Sequence, residues 1–488
     1  MKIRSSLSII GVFTAAFAFF HHLQFSTTNI PGFDGYYHIK LASIIREQGL
    51  LKTFPWLQFT YLKDHFVDFH FLYHLLLIPF TYGDLTYGAK MSTVVFFAIM
   101  AAVFYAVLED RQTPAPWFWF VILLIGSPPF LYRMSLPRAP VTALALLLPA
   151  TVFLAKDKRI ALFSFSFLFV WMYGGFTVLL IFAGFWFLSQ WAINKSIDRK
   201  TLLALVSGIL AGVVINPYFP ENTIFLYSQT FEAGISRVVA GGGEWRPYDK
   251  SLLVSQHHLI LALSAVFLTA FVFAKRKPAP ETLTWFLFLI FMVFLTLRSR
   301  RFVEYLFPAL VMTCALLARD GWQKLRNKPL FDRKWVPFIS AGLSILCLLW
   351  IFPHRAQLAK DEMYDERDQG RYKKAALWLK GNTPPGSTVY TSDWDDFPEL
   401  FFYNSQNRYI IGLDPAFLYV YDKTLYRKWN EINLGKIKED PYPVLLNLFR
   451  TPYLFTDNDH GPFISLMNRH PRITLRYEDG NARIYSLK

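Results

Sequence analysis

Cysteine is almost missing from this chain. It holds two, Cys314 and Cys347, and both sit inside apolar runs. That excludes a disulfide framework and a cysteine-ligated metal centre, and leaves both thiols as small apolar side chains. Charge is scarce as well, with 17% of residues charged against 53% hydrophobic and 18% aromatic. Over 488 residues arranged as repeated apolar runs, such a balance excludes an ordinary soluble domain and marks a polytopic membrane protein. Internal repeats, low-complexity linkers and a glycine-rich nucleotide fingerprint are absent too.

The net charge of +15 does not form a basic stripe on a soluble domain, so nucleic acid is not an expected partner. Residues 354–488 carry 19 Lys+Arg and 18 Asp+Glu, a balance of +1, and the remaining +14 lies in the apolar part, much of it in short loops. Membrane topology distributes charge in this way.

A spanning helix needs about 20 apolar residues. Candidate spans fall near 7–25, 87–108, 117–133, 139–155, 160–173, 175–192, 201–216, 257–274, 281–297, 302–318 and 335–352, about 11 in all. A further apolar segment, 69–82, lies on the membrane or extends the second span. The first run follows Lys2 and Arg4 and lacks a clear small-x-small cleavage site, so it reads as an uncleaved anchor. Four basic clusters should be cytoplasmic: Lys156/Lys158/Arg159, Lys195/Arg199/Lys200, Lys275/Arg276/Lys277 and the run from Arg319 to Lys334. The N-terminus is then inside. Residues 1–353 form a transmembrane domain with long outer loops at 26–66 and 217–256, and 354–488 form an extracytoplasmic α/β domain. The latter alternates helix-like stretches (Arg371 to Lys380, Tyr421 to Ile432) with β-like runs at Thr388-Val389-Tyr390 and Tyr409-Ile410-Ile411. It ends in a hairpin spanning Arg472 to Tyr485.

This orientation puts Arg298, Arg300 and Arg301 at the outer boundary, where basic residues do not normally gather. Arg133 and Arg138 fall on the same side. Guanidinium groups match phosphate in a bidentate way, so a lipid-linked phosphate is the expected partner.

The outer loops hold the other chemistry-bearing residues. Phe33-Asp34-Gly35-Tyr36-Tyr37-His38 opens an amphipathic helix that should stop at Gly49. Asp34 reads as a helix N-cap, and equally as a carboxylate beside aromatic rings, able to activate an acceptor or help bind a metal. Further along are Asp64, His65, Asp68, His70 and His74. If helical, Asp64 and Asp68 share a face, and so do His70 and His74. No Glu follows the first His of that H-x-x-x-H spacing, so the metalloprotease pattern is absent. Solvated polar residues at a helix entry would look the same. Gly241-Gly242-Gly243-Glu244-Trp245 sets a glutamate and a tryptophan on a backbone with few conformational restrictions. Asp393-Trp394-Asp395-Asp396 could bind a metal, a hydroxyl or an amine, or be a turn with solvated acids.

The order of these elements resembles the C-type (GT-C) glycosyltransferases, and within them the oligosaccharyltransferase catalytic-subunit family and its bacterial relatives. The resemblance covers the whole length in architecture and a few short motifs in sequence. It implies that Asp34 helps bind metal or acceptor, that Glu244 contacts the acceptor, and that one of Arg298, Arg300 or Arg301 binds lipid phosphate. Asp393-Trp394-Asp395-Asp396-Phe397 is a loose counterpart of the family's WWDYG motif, with Asp in place of the first Trp. Where the family carries a second acidic pair, this chain has Arg133 and Arg138. That departure weakens the case for a divalent cation (Mg or Mn, held by Asp34 and Glu244 if present) and for transfer to asparagine.

The expectation is an inverting glycosyltransferase in a bacterial cytoplasmic (inner) membrane, working at its outer face. It would take a polyprenyl-phosphate or polyprenyl-diphosphate sugar and a glycan, lipid or protein acceptor. Asp34, Asp64, Asp68 and Glu244 are the candidate catalytic residues. Arg133, Arg138, Arg298, Arg300 and Arg301 are the candidates for donor phosphate. Tyr36, Tyr37, His38, His65, Trp245, Trp394, Asp395 and Asp396 are the candidates for acceptor. Two other classes fit the same spans. A lipid-linked oligosaccharide transporter would use the arginines without chemistry, and an O-antigen ligase or polymerase would not need Asp34.

Overall fold

The computed structural model describes residues 2–227, 242–247, 278–325, 342, 346, 352–365 and 370–487. The span expected over 257–274, nearly all of that over 335–352, the cluster Lys275/Arg276/Lys277 and most of the loop 217–256 lie outside the described residues.

Long apolar helices dominate. Among the described residues, Ser6–Gln24, Leu85–Asp110, Thr177–Asn194 and Arg300–Gly321 are long and apolar enough to cross a membrane. Shorter apolar helices lie at Phe71–Thr81, Pro140–Ala155, Arg159–Met172 and Pro280–Thr296. The first helix runs antiparallel to Leu85–Asp110, with Phe20 stacked on Phe97 at 3.8 Å and Phe25 against Tyr87 at 5.4 Å. Asp84 starts the second of these helices by accepting the Tyr87 N–H at 2.7 Å. Small residues set the closest helix approach. A Cβ on Gly208 would lie 2.5 Å from the Phe163 carbonyl oxygen, and one on Gly212 would lie 2.9 Å from that of Phe167. Glycines four apart let the backbones of Arg199–Val214 and Arg159–Met172 touch, as membrane helices commonly do.

One expected span is broken. Residues 117–133 form two helices, Pro116–Ile125 and Pro128–Ser135, meeting at 76°. Pro128 and Pro129 cannot continue a helix but suit a first turn. Ser127 caps that turn, accepting the Phe130 N–H at 3.2 Å. The bend buries all of Pro128–Ser135, so Arg133 lies inside the protein rather than in a surface turn.

The two ends of the bundle differ. One gathers ion pairs between Arg159 and Asp198 (3.0 Å), Arg111 and Glu281 (2.8 Å), and Arg319 and Glu281 (3.0 Å). The other carries a five-stranded sheet of β1 (Thr388–Thr391), β2 (Arg408–Tyr409), β3 (Tyr453–Asp457), β4 (Ile473–Glu478) and β5 (Ala482–Leu487), in the order β2-β1-β3-β5-β4. β1 is parallel to β2 and β3, whereas β5 is antiparallel to β3 and β4. The expected hairpin is β4 with β5, and the expected helices form at Lys373–Asn382 and Lys423–Asn433. The β2 edge is covered by the first loop. Tyr409 N–H donates to the Trp56 carbonyl at 2.7 Å, and Gln58 N–H donates to the Tyr409 carbonyl at 2.8 Å. That pairing satisfies an otherwise open edge and ties the first loop to the sheet.

Candidate active site at the bundle–sheet junction

Asp34 opens the helix Asp34–Gln48 as its first residue. The cap position is Phe33 and no side chain caps the turn, so the N-cap expected of Asp34 is not formed. The helix stops at Gly49, whose φ of 78° suits glycine. Free of the cap, the Asp34 carboxylate pairs with Arg138 Nε at 3.2 Å.

Arg138 belongs to a buried network centred on Glu244. Arg133 Nη1 and Arg138 Nη1 both donate to Glu244 Oε2 at 2.8 Å, and Arg301 Nη1 donates to Oε1 at 3.1 Å. Arg133 Nε also donates to Glu304 Oε1 at 2.8 Å. Arg301 Nη2 reaches the Tyr173 hydroxyl at 3.3 Å, and its guanidinium lies over the Trp245 ring at 5.1 Å. Three guanidinium groups thus face three carboxylates, a balance without which burial would be prohibitive. Burial opposes the charge on Glu244, but Arg138, Arg301 and Arg133 outweigh it and hold its carboxyl well below the usual range.

A cavity of about 180 Å³ opens beside this network. Asp34, Tyr37, His38, Arg138 and Arg301 line it, with the Asp68–His74 wall behind. His74 Nδ1 lies 2.7 Å from Asp68 Oδ2, and His74 Nε2 lies 2.8 Å from His38 Nδ1. Residues 64–70 are not helical, because the chain runs irregularly from the short turn Tyr61–Lys63 to Phe71. The shared helical face expected of Asp64 with Asp68 therefore does not form, whereas His70, at the cap of the helix Phe71–Leu77, stays beside His74, with ring centroids 6.5 Å apart and both residues on the cavity. Asp68 instead turns inward and accepts the His70 N–H at 2.9 Å, while Asp64 is exposed.

The other candidates scatter. Arg298 is exposed over the Phe294 ring at 5.1 Å, and Arg300 binds the 242–247 segment through its backbone N–H and the Arg246 carbonyl at 3.0 Å. Of that triplet, Arg301 is the member that enters the cavity wall. His65 lies outside the cavity, 3.5 Å from Glu221. Tyr36 is fully buried against Phe402 at 5.1 Å. Trp394 approaches the glutamate loop, since a Cβ on Gly242 would lie 3.3 Å from its ring. Asp395 and Asp396 sit below it in a second acidic group with Asp393 and Asp457. Burial first, then those three neighbours, push the Asp396 carboxyl well up. His460 bridges Asp457 and Asp393. Burial opposes its protonation, but both carboxylates overcome this and raise it to about 10.

Three contributors were not singled out from sequence: Glu304, Tyr173 and Asp414. Glu304 had a signal, a lone acid at the start of an apolar helix just after the arginines. Tyr173 and Asp414 had none, and Asp414 arrives in the cavity wall from the far domain.

A divalent cation does not fit this donor set. Asp34 and Glu244, the carboxylates offered for it, are engaged by guanidinium groups. Among the described residues no group of three or more His, Cys, Asp or Glu is placed to hold a metal.

No protein-family model matches the chain, and no curated protein matches it in sequence. Solved structures do match. The oligosaccharyltransferase of Archaeoglobus fulgidus in its apo form has a TM-score of 0.65 at 13% identity, covering 98% of this chain and 74% of its own. The archaeal AglB from the same organism, in complex with an inhibitory peptide and a dolichol-phosphate, has a TM-score of 0.61 at 13% identity, covering 92% and 69%. ArnT from Cupriavidus metallidurans, bound to undecaprenyl phosphate, has a TM-score of 0.56 at 12% identity, covering 99% and 97%. The A. fulgidus oligosaccharyltransferase has also been solved with zinc and sulfate. The chain shares the fold of these solved structures.

Proposed function

We propose that, on this GT-C fold, the chain is a glycosyltransferase that takes a sugar from a polyprenyl-phosphate or diphosphate carrier at the outer face of a bacterial inner membrane. The observation that carries the reading is the cavity in which Asp34 faces Arg138 and Arg301. A half-exposed carboxylate beside preorganised cations suits a reaction in which one group must be oriented while negative charge grows on another.

In the proposed reaction the donor phosphate takes the guanidinium groups of Arg138 and Arg301 and displaces the Glu244 carboxylate from them. Asp34 accepts a hydrogen bond from the acceptor and orients it. The acceptor oxygen attacks the anomeric carbon from the side opposite the carrier, its proton passes to a basic group of the cavity wall, and the bond from that carbon to the phosphate oxygen breaks. Its electron pair stays with the phosphate, where the arginines offset it. In-line attack inverts the anomeric configuration. No step is routed through a metal. The N-terminus and the ion-paired end of the bundle are cytoplasmic. Residues 354–488 form the outer domain, and Trp394 and the acids around it help to select the acceptor.

The test is transfer from radiolabelled polyprenyl-phosphate sugars in membranes carrying wild type, Asp34→Ala or Arg301→Ala, with and without EDTA. The reading expects wild-type transfer that both variants lose and the chelator leaves intact. Lipid-phosphate binding without transfer from any donor would point to transport instead.

A further inference from the structure

Asp68, His74 and His38 form a hydrogen-bonded chain along the wall of the cavity, which all three line. Asp68 is 5%, His74 1% and His38 6% exposed, so none of them is there by solvation. Burying a carboxylate and two imidazoles is costly unless each polar atom has a partner. Here the partners are one another, at 2.7 Å and 2.8 Å.

The chain has a direction. A carboxylate is an acceptor, so Asp68 Oδ2 takes the proton-bearing Nδ1–H of His74. With both rings in their neutral tautomers, His74 Nε2 is a lone pair and accepts Nδ1–H of His38. This leaves the lone pair of His38 on Nε2, the ring nitrogen not turned toward His74, on a residue that lines the cavity with Asp34 and Arg138. The tautomer of His38 is thus set through His74 by Asp68, as carboxylate–histidine pairs do in hydrolytic sites. Burial first, then His74, His70 and Arg138, keep the His38 imidazole well below its ordinary pKa, so it is neutral at physiological pH. Asp34, by contrast, is already ion-paired with Arg138 Nε at 3.2 Å.

We propose that His38 Nε2 is the proton acceptor for a hydroxyl acceptor, with His74 and Asp68 as the residues that position it. This rests on the glycosyl-transfer reading and adds the acceptor class, an alcohol such as a sugar hydroxyl. As the hydroxyl oxygen bonds to the anomeric carbon, its proton passes to His38 Nε2. The carbon–oxygen bond to the carrier phosphate breaks with its electron pair on phosphate. The imidazolium, short-lived because burial and its neighbours disfavour it, then releases its proton to water at the cavity mouth. General-base assistance of this kind contributes about 10²–10⁴-fold.

The experiment uses the full-length protein in nanodiscs, with undecaprenyl-phosphate sugars as donors and simple glycosides as alcohol acceptors. His38→Ala should lower kcat at least about 100-fold, and added imidazole should restore part of it, which loss of fold would not allow. Undecaprenyl-phosphate binding should stay within about twofold of wild type, and this separates a lost base from a lost fold. Asp68→Asn should lower kcat about tenfold with the acceptor KM unchanged, the split expected of a positioning residue. Wild-type transfer that His38→Ala retains within about twofold overturns this inference and leaves the glycosyl-transfer reading standing. A wild type inactive with every donor overturns both.

Discussion

At the residue scale, the site is built from charges that satisfy one another before any substrate arrives. Glu244 holds three arginines, so it occupies the place proposed for a phosphate. Removing its charge should free them. Glu244→Gln is expected to tighten undecaprenyl-phosphate binding about tenfold, the scale of one charge-assisted hydrogen bond, whereas Arg301→Ala should weaken it by about the same factor. Calorimetric titration in detergent checks both, and equal affinities across the three proteins would remove the competition. His460 offers a second residue-level test. Its imidazole is raised to about 10 by Asp393 and Asp457 against the effect of burial. The stability this adds is complete below its unfolded value near 6.5 and is lost as pH climbs toward 10. The melting-temperature gap between wild type and His460→Gln should therefore be widest near pH 6 and close by pH 10.

At the element scale, two contacts have clear mechanical content. The helices Arg159–Met172 and Arg199–Val214 approach across Gly208 and Gly212, where a side chain would strike backbone. Gly212→Leu should cost about 2 kcal/mol, the usual scale of overpacking, read as a lower melting temperature in detergent. The first loop pairs with β2 through Gln58 N–H. Gln58→Pro deletes that donor and should cost about 1 kcal/mol. Since Leu62 and Phe66 of the same loop line the cavity, it should also weaken donor binding. Stability and binding both left at wild-type values would show that the pairing does not hold the loop. The bent pair at Pro116–Ser135 has a similar lesson. Hydropathy reads its residues as one span, but Ser127 and the two prolines that follow act locally and turn the chain by 76°.

At the scale of the whole molecule, the proposed topology sets the sheet outside and the ion-paired end of the bundle inside. Ser465 and Ser196 are exposed at these opposite ends. With both native cysteines changed to Ser, a membrane-impermeant maleimide on intact cells should label Ser465→Cys, and should label Ser196→Cys only after permeabilisation. The reverse pattern would invert the orientation and place the cavity in the cytoplasm. Much of this architecture was legible in the chain itself. Apolar runs, helix stops such as Gly49 and the hairpin at 473–487 depend on neighbours a few residues apart, and hydropathy and turn chemistry are properties of such short windows. Asp34 could be marked for the same reason, as an acid at a helix start among aromatic rings. The partners it faces could not. Arg138 and Arg301 come from distant segments, His38 meets His74 across 36 positions, and Glu304 meets Arg133 across 171. Composition and periodicity determined that this chain has apolar helices long enough to cross a membrane and an α/β end, because burial of apolar surface is additive along the sequence. Which charges neutralise which, and which imidazoles meet, was decided only by tertiary packing, because a buried charge is tolerated only where the fold brings it a partner.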